Sequence, residues 1–308
     1  MAGFNKGDTI KLRNGDVVVF DKKFGNGGTA DVYRVLNATK KKYQCAKHLY
    51  GGRYASEPEK YYEKCNVLYY KWHSPHPAFV WCEDKGISDY DKKTKSFVYV
   101  MELLENYDGV KTIIRDPEIL KIKDRIEICR TLAEAAKAAV DQNLIFGDWS
   151  ANNVMWKREK NGNISIRIID TDPTSIPGAP LGMGGTGKYR APEVMLGEPQ
   201  SQQSDIYSLT VLTFRLFCGR HPLDGKRTRS EPETEETIMK YYAKEPIFIF
   251  DGDVNAPSRL VATRFYSLPM PLQKYYSYIF SNGSLHGRID RMGYDDFLKI
   301  LDLSLKSL

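Results

Sequence analysis

The sequence predicts an α+β chain, strand-rich over its first hundred residues and mainly helical behind them, and three observations carry that reading. Apolar, β-branched or aromatic runs at residues 17–20, 32–35, 43–49 and 97–102 are joined by glycine-bearing turns and loops. A single helical stretch, residues 58–71, sits between the last two runs and is followed by a turn rich in His and Pro. From Glu118 onward, apolar positions recur in steps of three and four through Ile119, Ile122, Ile126, Cys129, Ala133, Ala136 and Val140, the spacing of one helix face. Residues 154–170 interrupt the helical half: Asn161, Gly162 and Asn163 separate two β-rich runs as a hairpin turn would.

Composition bounds the function classes. The chain has 308 residues, 42% apolar and 27% charged, which excludes a disordered, collagenous or small disulfide-stapled protein. The net charge of +6, from 45 Lys+Arg against 39 Asp+Glu, is dispersed. Lys40, Lys41 and Lys42 form one cluster; Lys226, Arg227 and Arg229 form another that Glu231, Glu233, Glu235 and Glu236 follow at once. These read as solvated turns, so no nucleic-acid partner is expected. The longest apolar stretch, residues 209–218, is broken by Thr210, Thr213 and Arg215. It falls short of the roughly 20 residues that cross a bilayer and reads as a buried helix. With no secretory signal at the N-terminus and no lipid anchor at the C-terminus, no membrane association and a cytoplasmic location are expected. Five cysteines at wide spacing, with no C-x-x-C pair, read as small buried apolar residues.

Three stations carry chemistry. In the first, Gly25, Asn26, Gly27, Gly28, Thr29, Ala30, Asp31 and Val32 lie between two strands, where a glycine-rich turn lets backbone N–H groups approach phosphate oxygens. The second is Cys45, Ala46 and Lys47 in the next strand, whose ammonium would reach α- and β-phosphates if a carboxylate held it. Glu63, one helical turn before Val67, is the expected partner, with Glu57 and Glu59 as fallback choices. In the third, the apolar run Leu144, Ile145, Phe146 leads through Gly147 into Asp148, and Asn153 follows five residues later, ahead of Val154 and Met155. That spacing lets one loop aim a carboxylate at an attacking hydroxyl while an amide oxygen reaches a metal ion. Asp170, at the end of the run Ile168, Ile169, is a carboxylate that is costly unless paired, and a magnesium ion is its expected partner.

Taken in order, these stations resemble the eukaryotic-type Ser/Thr protein kinase family, with its glycine loop, strand lysine, H-R-D-x-x-x-x-N loop, D-F-G and A-P-E motifs. The resemblance implies a bilobal fold, a small β-rich N-lobe with one helix over residues 1–103 and a larger helical C-lobe over 104–308. It implies ATP and a protein as substrates and Mg2+, replaceable by Mn2+, as the metal. Carried over, Gly25, Gly27 and Ala30 would cover ATP, Met101 would be the gatekeeper and Glu102 to Leu104 would offer backbone groups to adenine, with Asn26, Gly28, Val32, Ala46 and Met155 also binding the cofactor. Lys47 would pair with Glu63, Asp148 would be the catalytic base, and Asn153 and Asp170 would hold the metal. Gly185 to Glu193 resembles the substrate-facing loop with its A-P-E end, Asp205 the aspartate that braces the catalytic loop, and Arg291, with Arg288 as second choice, the arginine that pairs with Glu193.

The departures are as specific as the matches. Phe146 and Gly147 replace the usual His and Arg, so no arginine beside Asp148 awaits a phosphorylated activation segment. Ser150 replaces the lysine two residues after the catalytic aspartate, a loss worth roughly a few kcal/mol of transition-state stabilisation unless a charge such as Lys188 substitutes. Asp170, Thr171, Asp172 stands for D-F-G, and Asp172 resists a positive φ that glycine tolerates. This set looks most like a bacterial branch of the family. Two other readings stand beside an active kinase. One is a pseudokinase that holds nucleotide or a partner as a scaffold, for which Ser150 and Thr171 speak. The other is a small-molecule phosphotransferase, against which Ala191 to Glu193 and Asp205 speak.

Overall fold

The computed structural model describes residues 3–26, 30–50, 57–176, 185–280 and 291–308; Gly27, Gly28 and Arg288 lie outside them. The chain divides into two units, one of residues up to Pro75 with Phe79–Asn106, the other of His76–Ala78 with Tyr107–Leu308.

In the first unit, strands β1 (Thr9–Lys11), β2 (Val17–Asn26), β3 (Ala30–Asn37), β4 (Lys42–Tyr50), β5 (Cys82–Ile87) and β6 (Ser96–Met101) form one antiparallel sheet in the order β1-β2-β3-β4-β6-β5. Period-two alternation gives the sheet two characters. One face buries Leu12, Val18, Phe20, Tyr33, Val35, Ala46, Val98 and Val100, with Phe4 packed against them. On the other, the register sets Val32 opposite Lys47, Lys47 opposite Tyr99 and Cys45 opposite Met101. Helix α1 (Pro58–Lys71), opened by a proline in its first turn, buries Cys65, Leu68 and Tyr69, and Tyr69 lies 5.0 Å from Tyr99 between ring centroids.

The four expected strands and α1 are present, and two strands were not foreseen. β1 is a three-residue edge strand. β5 reads as polar because it bulges: Glu83 to Gly86 stand between the pairs Cys82–Met101 and Ile87–Tyr99, opposite Val100 alone. Asp84 and Lys85 turn through φ +48° and +57°, and a Cβ on Gly86 would lie 2.8 Å from the Glu83 carbonyl oxygen.

In the second unit, β7 (Asp108–Gly109), β8 (Val154–Arg158) and β9 (Ile164–Ile168) form a small sheet, and Gly162 takes φ +87° in the expected hairpin. Around it run α2 (Lys111–Arg115), α3 (Ile122–Asp141), α4 (Pro192–Met195), α5 (Gln202–Cys218), α6 (Glu235–Met239), α7 (Arg259–Tyr266), α8 (Met270–Phe280) and α9 (Tyr294–Lys306). The helix expected from Glu118 starts instead at Ile122, because a separate 3-10 turn over Pro117–Ile119 ends in an extended Leu120 and leaves Ile119 exposed.

Helix α5 is the spine. A reciprocal Ser201–Ser204 capping box starts it, Gly219 at φ +74° ends it, and it is buried along nearly its whole length. Phe214 on α5 meets Phe248, Phe265, Tyr276 and Phe280 at 5.2 to 6.1 Å. On α8, Tyr275 and Tyr276 are buried while Tyr278 is exposed, and the Tyr275 hydroxyl meets Thr210 Oγ1 at 2.9 Å. All five cysteines are buried as thiols outside any disulfide. Among the described residues no helix is long and apolar enough to cross a membrane.

Arg291 donates to both carboxylate oxygens of Glu193 at 2.5 and 2.9 Å, and to the Gln203 carbonyl at 2.8 Å, with both side chains almost completely buried. This is the expected pair. A buried charge stripped of its partner costs about 3–5 kcal/mol. Arg291→Ala should lose about that much in denaturant unfolding, whereas Arg291→Met combined with Glu193→Gln should recover a large part of it.

Candidate active site

Residues 144–153 are held from three sides. Gly147 takes φ +79°, and its N–H donates to Asp205 Oδ1 at 3.0 Å and Oδ2 at 3.3 Å. Its carbonyl accepts from Gln200 Nε2 at 2.6 Å. The left-handed φ favours glycine at the position where the family has arginine, and a Cβ there would also come within 2.7 Å of Gln200 Oε1 unless that side chain shifted. Phe146 is buried and its ring meets Trp149 at 4.8 Å. The expected brace from Asp205 is therefore present, and Gln200 is a second one that the sequence did not signal. Burial pushes the Asp205 carboxyl up to about 7, and Asp148 adds to the rise; the N–H groups of Gly147 and Phe146 and the Trp149 side chain pull it back.

Asp148 follows, 4% exposed, and its Oδ1 accepts from the Thr186 hydroxyl at 2.7 Å. Asn153 Nδ2 donates to the Asp148 carbonyl at 3.0 Å. A carbonyl can only accept, so the amide nitrogen must face it and Oδ1 is left as the side chain's acceptor. The Asn153 carbonyl in turn accepts from the Ile169 N–H at 2.8 Å, which sets Asp170 next along β9's exit. The donor set of one amide oxygen and one carboxylate suits a hard cation that takes its other ligands from phosphates and water. The positive φ lies on Asp170, at +65°, an angle that aspartate tolerates better than most residues. Thr171 and Asp172 are completely buried.

In the first unit, Lys47 is buried on β4, on the face it shares with Val32, Cys45 and Tyr99. Ala30 lies opposite Leu49, Gly25 opposite Val32, and the Asn26 backbone opposite Asp31. Met101 ends β6, buried, while Glu102 is exposed and Leu104 half-buried. Glu102 lines a cavity of about 470 Å³ with Tyr69, Trp72, Phe79 and Trp81. Met155, in the second unit, is half-buried on β8 between Gly109 and Arg167.

Two expectations need correction. Ala46 belongs to the opposite face of the sheet, inside the cluster with Tyr33, Val35 and Val100; strand alternation puts Cys45, two residues before Lys47, on the lysine's face. Burial pushes the Cys45 thiol up to about 12, which makes it an apolar wall. Glu63 does not pair with Lys47. It is exposed, because α1 turns Cys65, Leu68 and Tyr69 toward the sheet and Glu63 lies almost opposite that face, and among the described residues it joins no ion pair. The fallback residues are engaged elsewhere, Glu57 with Lys60 and Glu59 with Lys92 at 3.8 Å.

Nor does Lys188 replace the cation missing at Ser150. Its ammonium lies 2.6 Å from Glu233 Oε2 and 4.7 Å over the Tyr242 ring. Ser150 is buried, its hydroxyl accepting from the Asn152 N–H at 3.3 Å.

Gly147→Ala should destabilise by about 1–3 kcal/mol in thermal or denaturant melts, from a left-handed φ and contact with Gln200. Asp205 generates a pH signature. Its folded pKa is raised above the unfolded value, so its contribution is complete at acid pH and is lost as pH rises toward 7. Unfolding free energy measured from about pH 4 to 7 should carry a falling component, on the order of a few kcal/mol, that Asp205→Asn flattens.

The comparisons with known proteins point the same way. The profile of the family described as "Protein kinase domain" matches residues 18–264. The chain is 25% identical over 177 residues to the serine/threonine-protein kinase PknA of Mycobacterium tuberculosis, covering 56% of this chain and 38% of that protein. It is 27% identical over 162 residues to the serine/threonine-protein kinase pkn2 of Myxococcus xanthus, covering 50% and 19%. To the mouse serine/threonine-protein kinase tousled-like 2 it is 26% identical over 235 residues, covering 70% and 32%. The matched region thus spans well under half the length of these relatives. With the profile running through the strand lysine, the Asp148 loop and α5, the chain belongs to the protein kinase family.

Proposed function

We propose that this chain is a serine/threonine protein kinase that transfers the γ-phosphoryl group of ATP to a hydroxyl of a protein substrate. The observation that carries the reading is the Asp148 carboxylate, held on a loop braced by Asp205 and Gln200 and hydrogen-bonded to Thr186 on the substrate-facing segment. In this role Asp148 takes the proton of the acceptor hydroxyl as its oxygen bonds to the γ-phosphorus and the bond to the β–γ bridging oxygen breaks. The Lys47 ammonium steadies the α- and β-phosphates, and the glycine-rich sequence from Gly25 to Ala30 would supply backbone N–H groups. Asn153, through Oδ1, and Asp170 would hold Mg2+ or Mn2+, which when bound neutralises phosphate charge. Thr186 favours Ser/Thr over Tyr acceptors. The names of the bacterial relatives agree with that specificity.

One observation favours the scaffold reading: Glu63 points away from the sheet that bears Lys47. With Ser150 in place of a lysine, transfer should be slow but measurable. Against a small-molecule phosphotransferase stands the buried Glu193–Arg291 pair, which anchors a segment suited to a peptide.

Labelled ATP with Mg2+ and a generic protein acceptor tests the proposal. Asp148→Asn should lower transfer by about 10²- to 10⁴-fold while nucleotide binding persists. Asn153→Ala should raise the Mg2+ concentration needed for half-maximal rate. Equal phosphate incorporation by wild type and the Asp148 variant rules out the active kinase. Transfer to a metabolite in preference to protein points to the phosphotransferase.

A further inference from the structure

The segment from Gly185 to Arg190 carries Thr186, and Thr186 holds Asp148; what holds the segment is a set of contacts from behind α5 and from the stretch 228–244. His221, just past the end of α5, is 5% exposed. Its Nδ1 accepts from the Leu223 N–H at 3.1 Å, so that nitrogen carries no proton. The proton is therefore on Nε2, which donates to the Lys188 carbonyl at 3.0 Å. The Tyr242 ring packs edge-on against the imidazole at 5.0 Å and also lies beneath the Lys188 ammonium, whose other partner is Glu233. The Tyr189 ring lies 4.8 Å from the Arg215 guanidinium. Tyr242 itself is buried with Leu223 and Tyr241 in a small apolar cluster against which Met195 and Ile238 pack.

We propose that His221 and Lys188 are positioning residues for phosphoryl transfer: His221 grips the main chain at Lys188, Lys188 clips its own side chain to Tyr242 and Glu233, and together they set Thr186 against Asp148. This rests on the kinase reading of the same site. It gives the stretch 228–244 a task, since Glu233 and Tyr242 both come from it, and it explains why Lys188 is spent on holding the segment. Both imidazole nitrogens are committed, so His221 moves no proton in the reaction. Burial first, then the neighbouring Arg215, hold it neutral far below its ordinary titration range, and Lys188 acts in the same sense while its carbonyl opposes them.

The test pairs kinetics with amide hydrogen exchange on the full chain. His221→Leu removes the donor at similar size, and His221→Gln keeps an amide donor near the Nε2 position. His221→Leu should lower kcat about tenfold, the worth of one hydrogen bond, with KM for ATP unchanged and exchange at residues 185–190 accelerated while the middle of α5 stays protected. His221→Gln should recover part of both readouts, and Lys188→Met should shift them in the same direction as the leucine variant. Wild-type kcat and exchange in His221→Leu overturn the proposal, as does a loss of kcat matched by a rise in KM for ATP. Should His221→Leu fail to fold, the Gln and Lys188 variants decide on the same two readouts. A wild type that transfers no phosphate at all sinks the kinase reading itself, and the exchange rates then still decide whether His221 holds the segment.

Discussion

The Asp205 carboxylate, buried in the first turn of α5 and bound to the Gly147 N–H, is the constraint from which the site geometry descends. A carboxylate without water must find donors, and the backbone of the Asp148 loop supplies them. Because α5 is packed on nearly every side and capped at both ends, the loop inherits the rigidity of the core. Gly147 then has to approach Gln200 closely and adopt a left-handed φ, which fixes the direction in which Asp148 leaves. From there the order passes through the Asn153 amide to the Asp148 carbonyl and through the Asn153 carbonyl to Ile169, so that the candidate base and both metal-binding candidates stand on one hydrogen-bonded run.

A second run comes from the other direction. Arg291 and Glu193, neutralising each other inside the protein, pin α4 and with it the end of the segment that starts at Gly185. Between that anchor and Asp148, the segment is gripped by its main chain and by ring contacts, with the one ammonium it carries turned away to Glu233. Glycine, not arginine, precedes Asp148 in the chain, and Thr186 Oγ1 donates to Asp148.

The departures from the family pattern have physical form. Serine at 150 folds inward to cap its own loop, and a lysine there would have to leave that buried position. On α1, the face directed at the sheet is built of Cys65, Leu68 and Tyr69, so any acid set to meet Lys47 would need to stand in their row, and Glu63 does not. The family's motifs describe what is chemically required along the chain. Which face of a helix each residue occupies depends on the packing of the whole unit.

How much was legible follows that division. Strands with apolar alternation, the α1 span, the hairpin at Gly162 and the buried α5 could be read because each rests on local periodicity or turn chemistry, and the Asp205 and Arg291 contacts because the resemblance to the family implied them. The β5 strand was hidden by its bulge, and Ala46 was misassigned although the period-two rule, applied from Lys47, would have named Cys45. Gln200, His221 and Tyr242 left no trace in the sequence, since nothing local distinguishes a glutamine or a histidine that will be buried beside one particular carbonyl. The sequence alone determined the fold class and the order of the chemical groups, both of which depend on neighbours along the chain. Tertiary structure alone decided which further side chains are turned toward those groups, because contacts such as those of His221 and Gln200, 33 and 53 positions from their partners, depend on how the core closes.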